Sequence, residues 1–342
     1  MDLKLDALRN QLSDKKSHIF FDARVAYKKD KRVSVFYKNI KQAGDYYTFR
    51  EVDAFIQNTG ITSLFIWGSD DYSIYSYLVL KDFGYEVKGI VNLEHLRNVT
   101  SDIPLFLYED VADEIRGKNV GVIIHQRDMK EVPGEIQQQE NVLLLFSHVV
   151  GRCGKQYFDY FTSADEEYFL DAGCLDGGTS KDFIDWCGGN YGAVYAFEAN
   201  PKMISECKKN LQQFTDIEKL KFYDIALWDE ITTVSFDNSS SKWDAHVNPE
   251  GNVQVKADTI DHLLGGKKIT YIKFDIEGSE LKALYGARES ILWNRPRMAI
   301  SVYHEDDDLF KIMHYLIELN LNYKFALRHY HSDSIETILY VF

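Results

Sequence analysis

The stretch Tyr168-Phe169-Leu170-Asp171-Ala172-Gly173-Cys174-Leu175-Asp176-Gly177-Gly178-Thr179-Ser180 decides how the rest of the chain is read. An apolar run of buried-strand type ends in Asp-x-Gly, and a Gly-Gly turn then enters a helical pattern. Glycine suits such a turn because a Cβ would hold a ligand away from the main-chain N–H groups and the helix N-terminus.

Working outward, Ala193 to Glu198 reads as a second strand ending in an acid, Glu198, placed 25 residues after Gly173. An ionised carboxylate only accepts hydrogen bonds, so at the end of a second strand it can hold both hydroxyls of a ribose. A third strand, Leu220 to Ile225, ends at Asp224, which could accept from the exocyclic amine of an adenine while the Ile225 or Ala226 amide meets a ring nitrogen. A fourth, Thr270 to Asp275, delivers Lys273, Asp275 and Glu277 to the carboxyl end of the sheet, where open α/β sheets bind ligands. Lys273 and Asp275 share the polar face of that strand, and an ion pair between them competes with a ligand contact. Further strands are expected at 297–302, 322–327 and 335–341, with helical stretches between most of them. This alternation predicts a doubly wound parallel α/β sheet.

Residues 1–59 read as a helical arm, from Leu3, Leu5, Leu8 and Leu12 and from Val52, Phe55 and Ile56. Residues 60–152 hold four short β-type runs, at 64–67, 84–92, 120–124 and 142–146, and read as a smaller Rossmann-like unit. Its phosphate turn is degenerate: Asp70 and Ser73 replace the second and third glycines of GxGxxG, and Asn92 stands where a ribose-binding acid is expected. The remaining domain is expected over 153–342.

Composition narrows the function classes. The 342 residues are 45% hydrophobic and 27% charged with 5 prolines, which excludes long disordered tracts. Most of the net charge of -14 falls after residue 150, so a nucleic-acid partner is not expected. Cys153, Cys174, Cys187 and Cys207 form no CxxC pair and no zinc-finger spacing. No apolar run approaches membrane-spanning length and no signal-like N-terminus is read, so the expectation is a soluble cytoplasmic protein without a membrane partner.

DAGCLDGGTS (171–180), VYAFEANP (194–201), IKFDIEGSE (272–280) followed by Ala283-Leu284-Tyr285-Gly286-Ala287, Tyr303-His304, and LRHYHSDSIETILYVF (327–342) together resemble the FkbM family of S-adenosylmethionine-dependent methyltransferases. The resemblance covers about 155–342. It implies a class I methyltransferase Rossmann-like fold and S-adenosyl-L-methionine as cofactor. It also places Asp171 and Gly173 near the methionine end of that cofactor, Glu198 on its ribose, and Asp224 and Ala226 near its adenine.

Methyl transfer to a hydroxyl needs a positioned acceptor, exclusion of water and a base. His304, Asp275 and Glu277 are the candidate catalytic residues, with His304 favoured as base for its ordinary pKa and Asp275 as orienting or secondary base. The run His304-Glu305-Asp306-Asp307-Asp308 equally reads as the acidic start of a helix. It raises a divalent metal without supporting one, and no metal ligands are assigned. The acceptor is expected to be a saccharide or similar small molecule held by Lys273, Trp243, His246, Arg328 and Tyr330, and the N-terminal half is a candidate homo-oligomer interface. Two rival readings stay open, an NAD-linked oxidoreductase and a non-catalytic nucleotide- or sugar-binding module.

Overall fold

In the computed structural model of the chain the described residues are 5–30, 33–40, 47–68, 71–82, 84–93, 103–145, 156–212, 217–238, 245–330 and 334–342. They fall into two compact units. One comprises residues 22–153 and 331–334, the other residues 1–21, 154–330 and 335–342.

The first unit is built on a five-stranded parallel sheet of β1 (Leu64–Trp67), β2 (Val87–Asn92), β3 (Leu105–Leu107), β4 (Gly121–His125) and β5 (Val142–Leu145), in the order β3-β2-β1-β4-β5. This is the strand order of the first five strands of a Rossmann sheet. β1 and β4 are buried throughout, as expected of central parallel strands covered on both faces. Beside β1, buried Ser73 fills the space next to Gly68, where a Cβ would lie 1.8 Å from the Ser73 Oγ. Asn92 turns its side-chain oxygen to the Leu93 N–H, 2.5 Å away. Asp70 lies outside the described residues.

The second unit contains a seven-stranded sheet of β6 (Glu167–Ala172), β7 (Tyr191–Glu198), β8 (Leu220–Asp224), β13 (Tyr271–Phe274), β14 (Arg297–Ser301), β15 (Phe325–His329) and β16 (Thr337–Val341). Numbered within the unit, the order is 6-7-5-4-1-2-3, and only β16 runs against its neighbours. This is a Rossmann-like arrangement, as the resemblance above implies. All seven strands fall where the sequence pattern places them. Phe169 stacks on Phe183 with ring centroids 4.3 Å apart, and Phe158 and Tyr271 close the same buried cluster.

Residues 226–237 and 246–258 contribute the strands of a second sheet. β9 (Ala226–Leu227), β10 (Thr232–Asp237), β11 (His246–Val247) and β12 (Val253–Asp258) pair in the order β11-β10-β12-β9. Alternation along β10 and β12 supplies the reason: Phe236, Val255 and Ala257 point to one face and form a core of their own with Ala226. Among the described residues no helix is long and apolar enough to cross a membrane.

Candidate active site

Parallel pairing of β6 with β13 sets Asp171 beside Lys273 and Ala172 beside Phe274. Lys273 Nζ lies 3.2 Å from Asp171 Oδ1 and donates to the Ala172 and Gly173 carbonyls at 3.1 and 2.6 Å. Asp171 also accepts from the Ser180 hydroxyl at 2.7 Å, which ties the strand to the first turn of helix Gly178–Trp186. The sequence reading paired Lys273 with Asp275 or offered it to the acceptor. The across-strand register gives its direct ion pair to Asp171, with Asp275 as a further nearby charge, and the side chain is buried. Burial works against the Lys273 charge, yet Asp171 and Asp275 hold its pKa above the usual lysine value.

Gly173 follows with φ +80°, and a Cβ there would stand 1.9 Å from the Asp275 carbonyl oxygen. The glycine is therefore required by the close approach of β13 as well as by its backbone conformation. The Gly173 and Cys174 N–H groups both donate to the Phe197 carbonyl at 3.0 Å, which sets the end of β6 against the end of β7.

Beyond this turn lies a cleft of about 720 Å³, partly open to solvent. Gly173, Leu175 and Glu198 form one wall, Ile225, Ala226 and Leu227 another, and Asp275, Ile276 and Glu277 a third, while Phe236, Ala245 and Val247 of the second sheet cover it. Glu198 accepts the Leu175 N–H on Oε2 at 3.0 Å and the Asn200 N–H on Oε1 at 2.8 Å. Burial raises its pKa above the usual glutamate value in spite of these bonds and of Lys273. Asn200 then caps the helix Pro201–Leu211 by accepting the Lys202 N–H at 3.1 Å, with proline at the first helical position. Asp224 ends β8 beside Glu198, exposed and outside the cleft lining.

The loops after β13 and β14 bring acids around one imidazole. His304 Nε2 lies 3.5 Å from Asp275 Oδ1 and 3.3 Å from Glu277 Oε2, and its Nδ1 lies 3.0 Å from Glu280 Oε1. Glu280 is fully buried and takes the Ile276 and Gly278 N–H groups at 2.8 and 3.0 Å. Desolvation lowers the His304 pKa, but the charges of Glu280, Asp275 and Glu277 overcome it and push the value up to about 10. These charges thus favour the protonated imidazole, whereas the sequence reading favoured His304 as general base. Asp275 accepts from the Tyr157 hydroxyl at 2.8 Å and from the Tyr303 hydroxyl at 3.3 Å. Burial alone would raise its pKa, and Lys273 and His304 bring it below the usual aspartate value.

Of the residues expected to hold an acceptor, His246 opens β11 next to the cleft-lining Val247. Trp243 lies outside the described residues. Arg328 instead pairs with Asp14 at 3.2 Å and lies over the Tyr160 ring. Tyr330 is buried, bonded through its hydroxyl to Asp159 and Tyr340. Neither reaches the cleft, because the first residues of the chain and the segment before β6 pack over that end of β15. Glu280 and Tyr157 went unassigned in the sequence reading. Glu280 had a local signal, an acid at the first position of a helix, whereas Tyr157 is 118 residues from the carboxylate it meets.

Known proteins place this architecture. No curated protein matches the chain in sequence. The crystal structure of methyltransferase FkbM from Methylobacillus flagellatus KT shares the fold at TM-score 0.56 and 17% identity, over 96% of this chain and 99% of that one. An rRNA methylase from Streptococcus thermophilus (TM-score 0.35, 18% identity, 53% of this chain and 87% of that one) is a far looser likeness. So is Aeropyrum pernix fibrillarin with natively bound S-adenosyl-L-methionine (TM-score 0.36, 12% identity, 55% and 73%). Residues 171–325, from the Asp-x-Gly turn into β15, match the family model described as the methyltransferase FkbM domain, so this part of the second unit is similar to that domain.

Proposed function

We propose that this domain transfers a methyl group from S-adenosylmethionine to a hydroxyl of an uncharged small molecule, a saccharide being the best fit. The observation that carries the cofactor assignment is the Glu198 carboxylate. Each of its oxygens takes one backbone N–H, which fixes the group at the cleft wall and leaves a free acceptor position on each oxygen for a pair of ribose hydroxyls. The apolar Ile225, Ala226 and Leu227 next to it suit a flat base, and the Gly173 turn opens toward the methionine end. A sulfonium cation fits a cleft whose charged lining is Glu198, Asp275 and Glu277.

The same lining supports a neutral acceptor. Among the described residues it includes no lysine or arginine, so an anionic substrate would face the Glu198, Asp275 and Glu277 carboxylates without a cationic side chain in the lining. The cluster of Asp275, Glu277 and His304 stands at the cleft rim, where the proton of the acceptor hydroxyl leaves.

Calorimetric titration with S-adenosylhomocysteine tests the cofactor site. One-site binding in the native chain, weakened at least tenfold in Glu198→Ala, is expected. Absence of binding in a folded sample removes the reading. A saccharide screen with mass detection of a 14-dalton gain then tests the acceptor class.

A further inference from the structure

We propose that Asp275, Glu277 and His304 form a binding site for one divalent first-row cation at the rim of the cleft, where the ion takes an oxygen of the methyl acceptor. The acceptor clause rests on the function proposed above, whereas the cation site stands on geometry alone. Asp275 Oδ1, Glu277 Oε2 and His304 Nε2 lie within 4.8 Å of one another, with the imidazole 3.3 and 3.5 Å from the two carboxylates. Donors at right angles around an ion about 2.1–2.4 Å away stand roughly 3.0–3.4 Å apart, so these atoms need only small rotations to become adjacent ligands.

The second observation is His304 itself. Its side chain is nine-tenths buried, and Nε2 forms no hydrogen bond of good geometry although the Asp275 and Glu277 oxygens stand 3.5 and 3.3 Å away. A buried polar ring so placed calls for a ligand. Behind it, Glu280 Oε1 lies 3.0 Å from Nδ1 and is itself held by two backbone N–H groups. Such a carboxylate behind a histidine holds the proton on Nδ1, so a metal entering the site displaces the proton on Nε2. One imidazole with two carboxylates suits Mn²⁺, Fe²⁺ or Zn²⁺ better than the all-oxygen shells of Mg²⁺ and Ca²⁺. Asp275 and Glu277 also line the cleft, so an ion between them and His304 is reachable by an acceptor oxygen.

The test is titration of chelator-stripped protein with Mn²⁺ alone, followed by electron paramagnetic resonance. One Mn²⁺ per chain is expected, with nitrogen coupling from a single imidazole and at least about tenfold weaker binding in Glu277→Gln and in His304→Ala. Thermal unfolding and S-adenosylhomocysteine titration of the same samples separate the two readings: a chain that binds Mn²⁺ as described but no S-adenosylhomocysteine keeps the cation site and loses the cofactor assignment. No saturable Mn²⁺ binding in a chain that unfolds cooperatively overturns the proposal. So does binding without nitrogen coupling, or binding unchanged in Glu277→Gln. If His304→Ala does not fold, Glu277→Gln decides, because Glu277 lies at the cleft surface.

Discussion

Lys273 and Asp171 face each other across two neighbouring parallel strands, Nζ 3.2 Å from Oδ1, both removed from solvent. The pair sits directly beneath the Asp-x-Gly turn, and Lys273 holds the Ala172 and Gly173 carbonyls as well. A buried charge so arranged fixes the backbone that forms the cleft wall, at the cost of two desolvated ions.

Removing one partner should therefore be far worse than removing both. Lys273→Met leaves Asp171 charged and uncompensated and should lower unfolding stability by about 3–5 kcal/mol, whereas Lys273→Met combined with Asp171→Leu should recover a substantial part of that loss. Urea unfolding of the three proteins at pH 7 measures this. Equal destabilisation in the single and double variants would show that the pair contributes through packing alone.

Gly173→Ala places a Cβ 1.9 Å from the Asp275 carbonyl at φ +80°, so β13 and the turn must separate. The backbone conformation alone costs about 1–2 kcal/mol, and the displaced Asp275 carbonyl adds to it. Gly173→Ala should lose S-adenosylhomocysteine binding by more than tenfold while still unfolding cooperatively. Gly188→Ala serves as the control, with φ +60° and open space around its Cβ: it should show the conformational penalty in its unfolding curve and unchanged ligand affinity.

The same residues show how much of the molecule was legible beforehand. Strand runs such as Tyr168–Asp171 and Tyr271–Phe274 are local, so their number and order of appearance could be read directly. Their register could not, and register is what gives Lys273 to Asp171 in place of Asp275. The second sheet was missed because β9 and β11 are two residues long and the alternation in β10 and β12 reads as a polar insertion until the strands are paired. Arg328 and Tyr330 looked available because their partners, Asp14 and Asp159, lie 314 and 171 positions away. The acids around His304 were visible in IKFDIEGSE, but their convergence on one imidazole, and hence its charge, depends on two loops meeting.

The buried thiols give a third expectation. Cys174 and Cys207 stand 3.5 Å apart with no exposure to speak of, and burial with the neighbouring thiol pushes the Cys174 pKa well up. Burial likewise raises Cys187. The reactive species is the thiolate, so all three should resist alkylation by iodoacetamide in the native protein and react only on unfolding. Peptide mass mapping after a native pulse would show it, and rapid native labelling of Cys174 would mean that the turn after β6 opens readily.

Acid sensitivity should centre on Glu167, at the first residue of β6. Burial alone would raise its pKa, but the Ala164 N–H at 2.7 Å, the Thr270 hydroxyl and the Arg297 guanidinium together hold it below the usual glutamate value. The unfolded chain therefore takes up this proton at higher pH than the folded one, so stability rises with pH through that window. The contribution is fully present above the ordinary glutamate pKa of about 4.5 and is lost as pH falls through the lower folded value. Glu167→Gln removes the charge facing Arg297 at every pH and should cost about 1.5–3 kcal/mol at pH 7. The gap between native and variant proteins in urea midpoint should then narrow steadily on acidification from pH 6 to pH 3. A gap that stayed constant over that range would place the charge of Glu167 outside the forces that hold the amino end of β6 to β13 and β14.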